Sequence, residues 1–151
     1  MKIEEAIKSK KFINEWHKAT INIVFTSSWI TAILEERASR EQITLQQFNV
    51  LRILRGQYPK PATNNLIKER MLDKMPDVSR IIDRLVVKEL VSRGKCDSDR
   101  RAVDVRITDK GLDVLKRLDD SMLIMDVLGG NITEKECKQL NTLLDKLRGA
   151  H

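Results

Sequence analysis

The stretch that decides the fold is PDVSRIIDRLVVKELVSRGKCDSDRRAVDVRIT, residues 76–108. Apolar residues recur at helical spacing in its first half, which predicts an amphipathic helix over residues 76–90. Two runs in its second half, residues 91–95 and 102–107, are typical of strands, and a polar segment joins them. We therefore expect a helix that is followed directly by a two-stranded ribbon with a charged tip.

Two shorter helices are predicted immediately before this stretch. The first covers residues 44–55, and Thr44 with Gln47 matches the capping box that starts such a helix. The second covers residues 64–72 and lies between polar and proline-containing turns. Three short helices and a hairpin are the parts of a winged helix-turn-helix. We expect this lobe to occupy residues 44–108 of a mostly α chain with a small β-hairpin wing.

A long helix is predicted on the N-terminal side, over residues 11–37. Its apolar and small residues form two faces instead of one. The first face carries Trp16, Thr20, Ile23, Ser27, Ile30 and Leu34, and the second carries Ile21, Phe25, Ser28 and Ala32. A helix with two such faces is covered on both sides. The pattern favours cover by a second subunit, with the chain's own core as the alternative.

Two further helices are predicted after the ribbon, over residues 109–128 and about 133–148. Gly111 lies in the first turn of the earlier helix, where a glycine allows close packing. Thr133 with Glu136 matches a second capping box and would open the later helix.

The chain of 151 residues fits one subunit. Within it, residues 11–37 and 109–148 would form N- and C-terminal dimerisation helices. The chain has 28 Lys+Arg against 22 Asp+Glu, a net charge of +6, which favours a polyanionic partner, nucleic acid first and a membrane surface second. Two cysteines suit a reducing compartment, and we find no signal core and no membrane-span pattern in the sequence, so we expect a cytoplasmic protein.

The sequence lacks the motifs on which an enzyme would depend. We find no glycine-rich phosphate loop, no paired carboxylates in a recognisable frame, and no Ser or Cys nucleophile beside a His. The histidines and cysteines share no ligand-like spacing, so we expect no metal and no cofactor.

Three stretches, in order and at matching spacing, resemble the MarR family of bacterial winged helix-turn-helix regulators. Residues 77–85, DVSRIIDRL, resemble the recognition helix of that family, and residues 90–93, LVSR, lead into the first wing strand. Residues 99–111, DRRAVDVRITDKG, are similar to the family's wing signature, an Asp-x-Arg followed by a strand, Thr and Gly. The resemblance extends from about residue 11 to the end.

The resemblance implies a two-fold symmetric homodimer, held by the first long helix and the last two helices. It implies binding to pseudo-palindromic double-stranded DNA as a transcriptional repressor. A small aromatic or phenolic effector would release the DNA from a crevice between the dimerisation helices and the DNA-binding lobe. The alternatives are a protein-interaction scaffold that has lost DNA binding, and a regulator that responds to cysteine oxidation.

The chain departs from the family pattern at Glu89, where the family often has glycine. A glycine there takes a left-handed conformation cheaply, whereas Glu89 would lose about 1 kcal/mol or leave the helix differently. The turn before the recognition helix is also about one residue longer than usual.

Candidate DNA contacts lie on the predicted recognition helix. Arg80 and Arg84 are four residues apart on its open face, and arginine paired with guanine is the commonest specific contact in a major groove. Ser79 would contact a base or a phosphate. For Asp77 and Asp83 we expect structural roles. The alternative is a solvated face in which Arg80 pairs with Asp77 or Asp83.

Further contacts are expected from the wing and from the preceding helix. An arginine at a ribbon tip can enter a minor groove. By resemblance, Arg101 is the Asp-x-Arg arginine and Asp99 orients the tip. The expected contacts at the wing tip are Arg100 and Arg101, and Arg93 and Lys95 in the ribbon are expected to contact phosphates. Further phosphate contacts are expected around the preceding helix from Asn64, Asn65 and Lys68. The alternative is a ribbon whose charges only keep it solvated.

The candidate walls of an effector pocket are Trp16, His17, Trp29, Phe48 and Met125, and plain core packing is the alternative for these residues. Cys96 lies at the predicted wing tip, where a redox sensor would need a lowered thiol pKa. Only Lys95 and the nearby arginines favour that. We expect Cys137 to belong to the core.

Overall fold

A computed structural model describes residues 1–74, 76–95 and 103–149. The chain divides into two compact units, Met1–Leu45 and Gln46–His151. The elements, in chain order, are α1 (Ile3–Ala6), α2 (Glu15–Ser39), α3 (Leu45–Gln57), β1 (Ala62–Thr63), α4 (Asn64–Arg70), α5 (Val78–Val87), β2 (Val91–Lys95), β3 (Val103–Ile107), α6 (Asp109–Met122), α7 (Met125–Leu128) and α8 (Glu134–Arg148). The predicted fold class, mostly helical with a small β wing, is confirmed.

The N-terminal unit consists of α1, α2 and the turn that follows. Asn14 caps α2, because its side-chain oxygen accepts the backbone N–H of His17 at 2.9 Å. An ion pair of 2.6 Å between Lys18 and Glu4 ties the two helices together. Hydrogen bonding to Lys18 holds the pKa of Glu4 below its ordinary value, and the same bond raises the pKa of Lys18.

The two apolar faces of α2 are largely uncovered. Of its residues only Arg37 and Ala38 are buried, whereas Ile23 on the first face and Phe25 on the second are exposed. Whether a second subunit or the chain's own core covers these faces stays a prediction.

The second unit contains a three-stranded antiparallel sheet of order β1-β3-β2. In the ribbon, Val91 pairs with Ile107, and Lys95 pairs with Val103. The strand β1, which the sequence did not predict, adds Ala62 opposite Val105. Two residues are too few to show the alternation by which strands are recognised.

The helix α5 forms because one of its sides is apolar and buried. Val78, Ile81, Ile82 and Leu85 all lie in the core, as the spacing predicted. Asp77 is its N-cap, and the side-chain carboxylate accepts the backbone N–H of Arg80 at 3.1 Å. The structural role expected of Asp77 is confirmed.

The exit from α5 has the hydrogen bonds of a Schellman motif. The N–H of Leu90 bonds to the carbonyl of Leu85 at 3.0 Å, and the N–H of Glu89 bonds to Val86 at 2.9 Å. Glu89 occupies the position that usually carries glycine, with φ of 61°. Of the two expected outcomes, Glu89 therefore adopts the left-handed conformation and does not leave the helix differently. The Glu89 carboxylate lies 3.1 Å from Lys110.

Gly111 has a steric role at the start of α6. Thr108 caps this helix by accepting the N–H of Gly111 at 3.1 Å. A Cβ at position 111 would lie 2.4 Å from the carbonyl oxygen of Leu90 and 2.7 Å from Cγ1 of Ile107. The prediction that this glycine allows close packing is confirmed.

The helix predicted over residues 109–128 is wrong as one continuous element. It stops at Met122, and α7 resumes at Met125. Between them Ile124 has φ of 45° and is buried, with 6% of its surface exposed. A positive φ is costly for a β-branched residue, and burial of its side chain offsets that cost.

The capping box of Thr133 and Glu136 is present at the start of α8. None of the residues of α8 is buried, and Cys137 is only half-buried, so its assignment to the core is wrong. Within the ranges that the structure describes, no helix combines the length and the apolar character that a membrane span requires.

Candidate nucleic-acid interface

The two helices of the helix-turn-helix are joined by a polar contact at their first turns. Thr63 caps α4, and its hydroxyl accepts the N–H of Leu66 at 3.3 Å. The next residue, Asn64, donates from Nδ2 to the Ser79 hydroxyl in α5 at 3.1 Å. Because this hydroxyl accepts from Asn64, its own hydrogen remains available to a ligand.

The exposed side of α5 carries two strips of side chains. Ser79 and Asp83 form one strip, and Arg80 and Arg84 form the other, since residues four apart lie one above the other. In the described part of the chain, neither arginine is ion-paired with a carboxylate. The predicted alternative, an ion pair of Arg80 with Asp77 or Asp83, is not formed among the described residues. Asp83 is paired with Arg93, and the Asp77 carboxylate accepts the backbone N–H of Arg80.

The arginine strip borders a shallow cleft of about 270 Å³. Its lining comes from the first turns of α3 and α5 and consists of Gln46, Pro76, Asp77, Arg80, Ile81 and Arg84. Two exposed arginines stand against the single carboxylate of Asp77, so the net charge of this lining is positive.

Arg93 extends from β2 to α5. Its guanidinium forms an ion pair with Asp83 and also approaches the backbone carbonyl of Ser79 at 3.5 Å. Lys95, two residues further along the strand, is exposed. Asn65 and Lys68 are exposed on α4. Whether these residues contact DNA stays a prediction.

Sequence reasoning missed Arg106, which braces the wing from the other side. It lies in β3 and donates to the carbonyl of Pro59 at 3.0 Å. The strand alternation marks Arg106 as polar-facing, but its partner is 47 residues away. A spacing rule cannot supply such a partner.

The predicted wing tip, with Cys96, Asp99, Arg100 and Arg101, lies outside the described residues. The proposed roles of these residues stay predictions.

The candidate effector residues fall in both units. In the N-terminal unit Trp16 and Trp29 are exposed, the former at 82%, and His17 is half-buried. In the second unit Phe48 is half-buried and Met125 is exposed. The core-packing alternative is therefore wrong for the two tryptophans and for Met125, and the pocket itself stays a prediction.

The fold and the arrangement of α4, α5 and the ribbon define a winged helix-turn-helix protein. The family model for the MarR family matches residues 43–103. A MarR transcription factor from Planctomyces limnophilus is 30% identical, with 93% of this chain and 100% of the other covered and a TM-score of 0.66. The chain belongs to the MarR family of transcription regulators.

Two other solved structures are similar over most of their length. A mutant MarR from E. coli complexed with operator DNA is 27% identical. The match covers 91% of this chain and 99% of the E. coli chain, with a TM-score of 0.77. The second structure concerns BpsR from Bordetella bronchiseptica, whose DNA binding is regulated by 6-hydroxynicotinic acid. It is 22% identical over 85% of this chain and 91% of its own, with a TM-score of 0.74, and shows the fold alone.

Proposed function

We propose that the chain is a sequence-specific, double-stranded DNA-binding transcriptional repressor. It acts as a homodimer, and a small aromatic effector modulates its binding. The single observation that carries the proposal is the exposed strip of Arg80 and Arg84 on a helix whose opposite side is buried. The similarity to the E. coli MarR that is complexed with operator DNA also supports DNA binding.

In this proposal α5 enters the major groove, which is wide enough for one helix. Arg80 lies in the first turn, nearest to the base edges, and would pair with guanine O6 and N7. Ser79 would donate its free hydrogen to a base or a phosphate oxygen. Arg84, one turn later, would contact a base or the backbone.

The wing would contact the DNA backbone and the neighbouring minor groove. Lys95 and the tip residues Arg100 and Arg101 supply the positive charge, and Asp99 would orient the tip. Asn65 and Lys68 on α4 would reach phosphates, and Asn64 would do so in addition to its contact with Ser79.

The homodimer is supported by apolar residues that a single chain leaves exposed. On α2 these are Val24, Phe25 and Trp29, and on α8 they are Leu140, Leu143 and Leu147. Association would remove this surface from water. In a symmetric pair that reads a pseudo-palindromic site, the two copies of α5 would lie about 34 Å apart, one turn of DNA.

An aromatic effector fits the exposed tryptophans of the N-terminal unit, which offer apolar contact area. The regulation of BpsR by 6-hydroxynicotinic acid gives the chemical class. Titration of a selected protein–DNA complex with phenolic and hydroxy-aromatic acids would test this part of the proposal.

The main test is selection of bound sequences from random duplex DNA by the full chain, followed by affinity measurements at fixed salt. Arg80→Ala should lower discrimination at one base position by about 1–3 kcal/mol. Arg52→Ala is the matched control, because it removes the same charge from an exposed position on α3. Failure to enrich any sequence would leave the interaction scaffold as the better interpretation.

A second test concerns the wing. Arg101→Ala should weaken operator binding without unfolding the protein. An unchanged operator affinity at fixed salt would remove the wing assignment.

A further inference from the structure

We infer that Arg93 is a positioning residue that holds the wing ribbon against the recognition helix, and that it does not contact phosphate. The inference rests on the proposed DNA-binding function and deepens it. Its basis is the double engagement of one guanidinium by two groups of α5, the Asp83 carboxylate and the Ser79 carbonyl.

The register of the ribbon explains why Arg93 points towards α5. Val91 and Arg93 are two residues apart in β2 and therefore project from the same face of the sheet. Val91 is buried, and Val105, the cross-strand partner of Arg93, is fully buried. Directly paired residues also share a face. Arg93 thus leaves the ribbon on its core-facing side and reaches along the edge of the core to α5.

The two acceptors on α5 are four residues apart, which places them one above the other on the strip beside the ribbon. The carboxylate of Asp83 supplies the charge, and the carbonyl of Ser79 lies 3.5 Å from the same guanidinium, one helical turn earlier. Ser79 is held a second time, because its hydroxyl accepts from Asn64. The first turn of α5 is therefore braced from β2 and from α4.

A phosphate contact would require a guanidinium of Arg93 that is free to bind another anion. The side chain of Arg93 is 38% exposed, and its charge is already paired with Asp83. A phosphate would have to displace the carboxylate or share the guanidinium with it, and the carboxylate itself repels phosphate. Lys95, exposed two residues nearer to the tip, is better placed for a backbone contact.

The pair is exposed, with 59% of the Asp83 side chain in contact with solvent. Exposed ion pairs contribute little to the stability of a folded chain. Removal of Arg93 should therefore leave the fold intact and change the angle between the wing and α5. This separates the inference from a purely structural role, because thermal unfolding should barely move while DNA discrimination falls.

The experiment uses the full chain, a duplex that the wild type selects from a random pool, and a scrambled duplex. Affinity is measured between about 50 and about 200 mM salt for wild type, Arg93→Ala, Asp83→Ala and the double variant. Arg40→Ala is the control, because it removes one positive charge from another exposed pair, Arg40–Glu36.

We expect Arg93→Ala to weaken binding to the selected duplex about tenfold and to change binding to the scrambled duplex much less. The slope of log affinity against log salt should match that of the wild type. The double variant should be no weaker than Arg93→Ala alone, because both substitutions break the same contact.

Equal losses on both duplexes, with a slope shallower by about 0.9 for each lost contact, would identify a phosphate contact and overturn the inference. Tighter binding by Asp83→Ala, found together with the shallower salt slope of Arg93→Ala, would also identify a phosphate contact of Arg93 and overturn the inference. If the wild type enriches no sequence at all, the proposed function fails instead, and the two failures are distinguishable.

Discussion

The helices α5 and α8 have similar amphipathic patterns, but the apolar side of α5 is buried in the single chain and that of α8 is exposed. The ten residues of α5 bury four apolar side chains in the core of the second unit. The fifteen residues of α8 bury none, and Leu140, Leu143 and Leu147 are exposed. The helix α5 is therefore packed against its own unit, whereas α8, like α2, has an apolar face that is exposed.

The largest effect should come from a charge placed on the uncovered face. In a symmetric dimer the substitution Leu143→Glu would be present in both subunits. Each copy would reduce the free energy of association by about 2 kcal/mol or more. We expect a monomer by sedimentation, with helical content unchanged. Thr142→Glu adds the same charge on the opposite side of α8 and should stay dimeric. A dimeric Leu143→Glu variant would show that α8 takes no part in association.

The next largest effect is on the stability of the second unit, where Gly111 is closely packed. Gly111→Ala would force a Cβ against the carbonyl of Leu90, which is backbone and cannot swing aside. We expect a loss of about 2 kcal/mol in the free energy of unfolding, measured with urea.

The control for this loss is Gly56→Ala in α3, where an added Cβ meets no atom within 4 Å. It should be neutral or stabilise by up to about 1 kcal/mol, since alanine favours helix. Equal effects of the two alanines would mean that close packing at residue 111 does not limit stability.

A smaller gain is expected from Glu89→Gly. Glycine relieves a left-handed backbone by about 1 kcal/mol, and loss of the exposed pair with Lys110 removes part of that gain. Thermal unfolding should reveal a net stabilisation of about 0.5 kcal/mol. Lys110→Ala removes the pair alone and should cost about 0.5 kcal/mol. A net loss of stability in Glu89→Gly would show that the pair contributes more than the relief of the backbone.

The smallest effect is a pH dependence of the uncovered helix. In α8 the backbone N–H of Thr133 donates to Glu136 at 2.7 Å and its hydroxyl at 2.8 Å, and these bonds hold the pKa of Glu136 below its ordinary value of 4.5. Because the folded pKa is lowered, this stabilisation is present above pH 4.5 and is lost as the pH falls through the folded pKa.

Unfolding of wild type and Glu136→Gln should therefore differ at neutral pH and converge in acid. Glu134→Gln, which removes a charge from the same turn without touching the cap, serves as the control. A difference that persists unchanged at low pH would rule out the carboxylate as its source.

Local contacts were predictable from the sequence, and distant ones were not. The caps at Asp77 and Thr133 join residues three apart, so the pattern of residue types contains both partners. The bond from Arg106 to Pro59 crosses 47 residues, and it depends on a sheet whose strand β1 is too short to recognise. The break at Ile124 depends on burial of one side chain, which periodicity cannot weigh.

The same limit explains the candidate site. Spacing placed Arg80 and Arg84 on one exposed strip, and a helical period is sufficient for that. It also placed Arg93 among the phosphate contacts, an assignment that stays a prediction, but it could not supply the partner of this arginine on α5. Only the packing of β2 beside α5 brings Asp83 into reach.

The carbonyl of Leu90 has a mechanical consequence. It accepts the N–H of Thr108 at 3.1 Å and lies against Gly111, so the exit of α5, the open end of the ribbon and the start of α6 meet at one atom. A displacement of α6 would therefore act on the end of α5 directly, through this shared oxygen. The orientation of α5 is therefore tied to α6 at the C-terminal end of α5, away from the exposed arginine in its first turn.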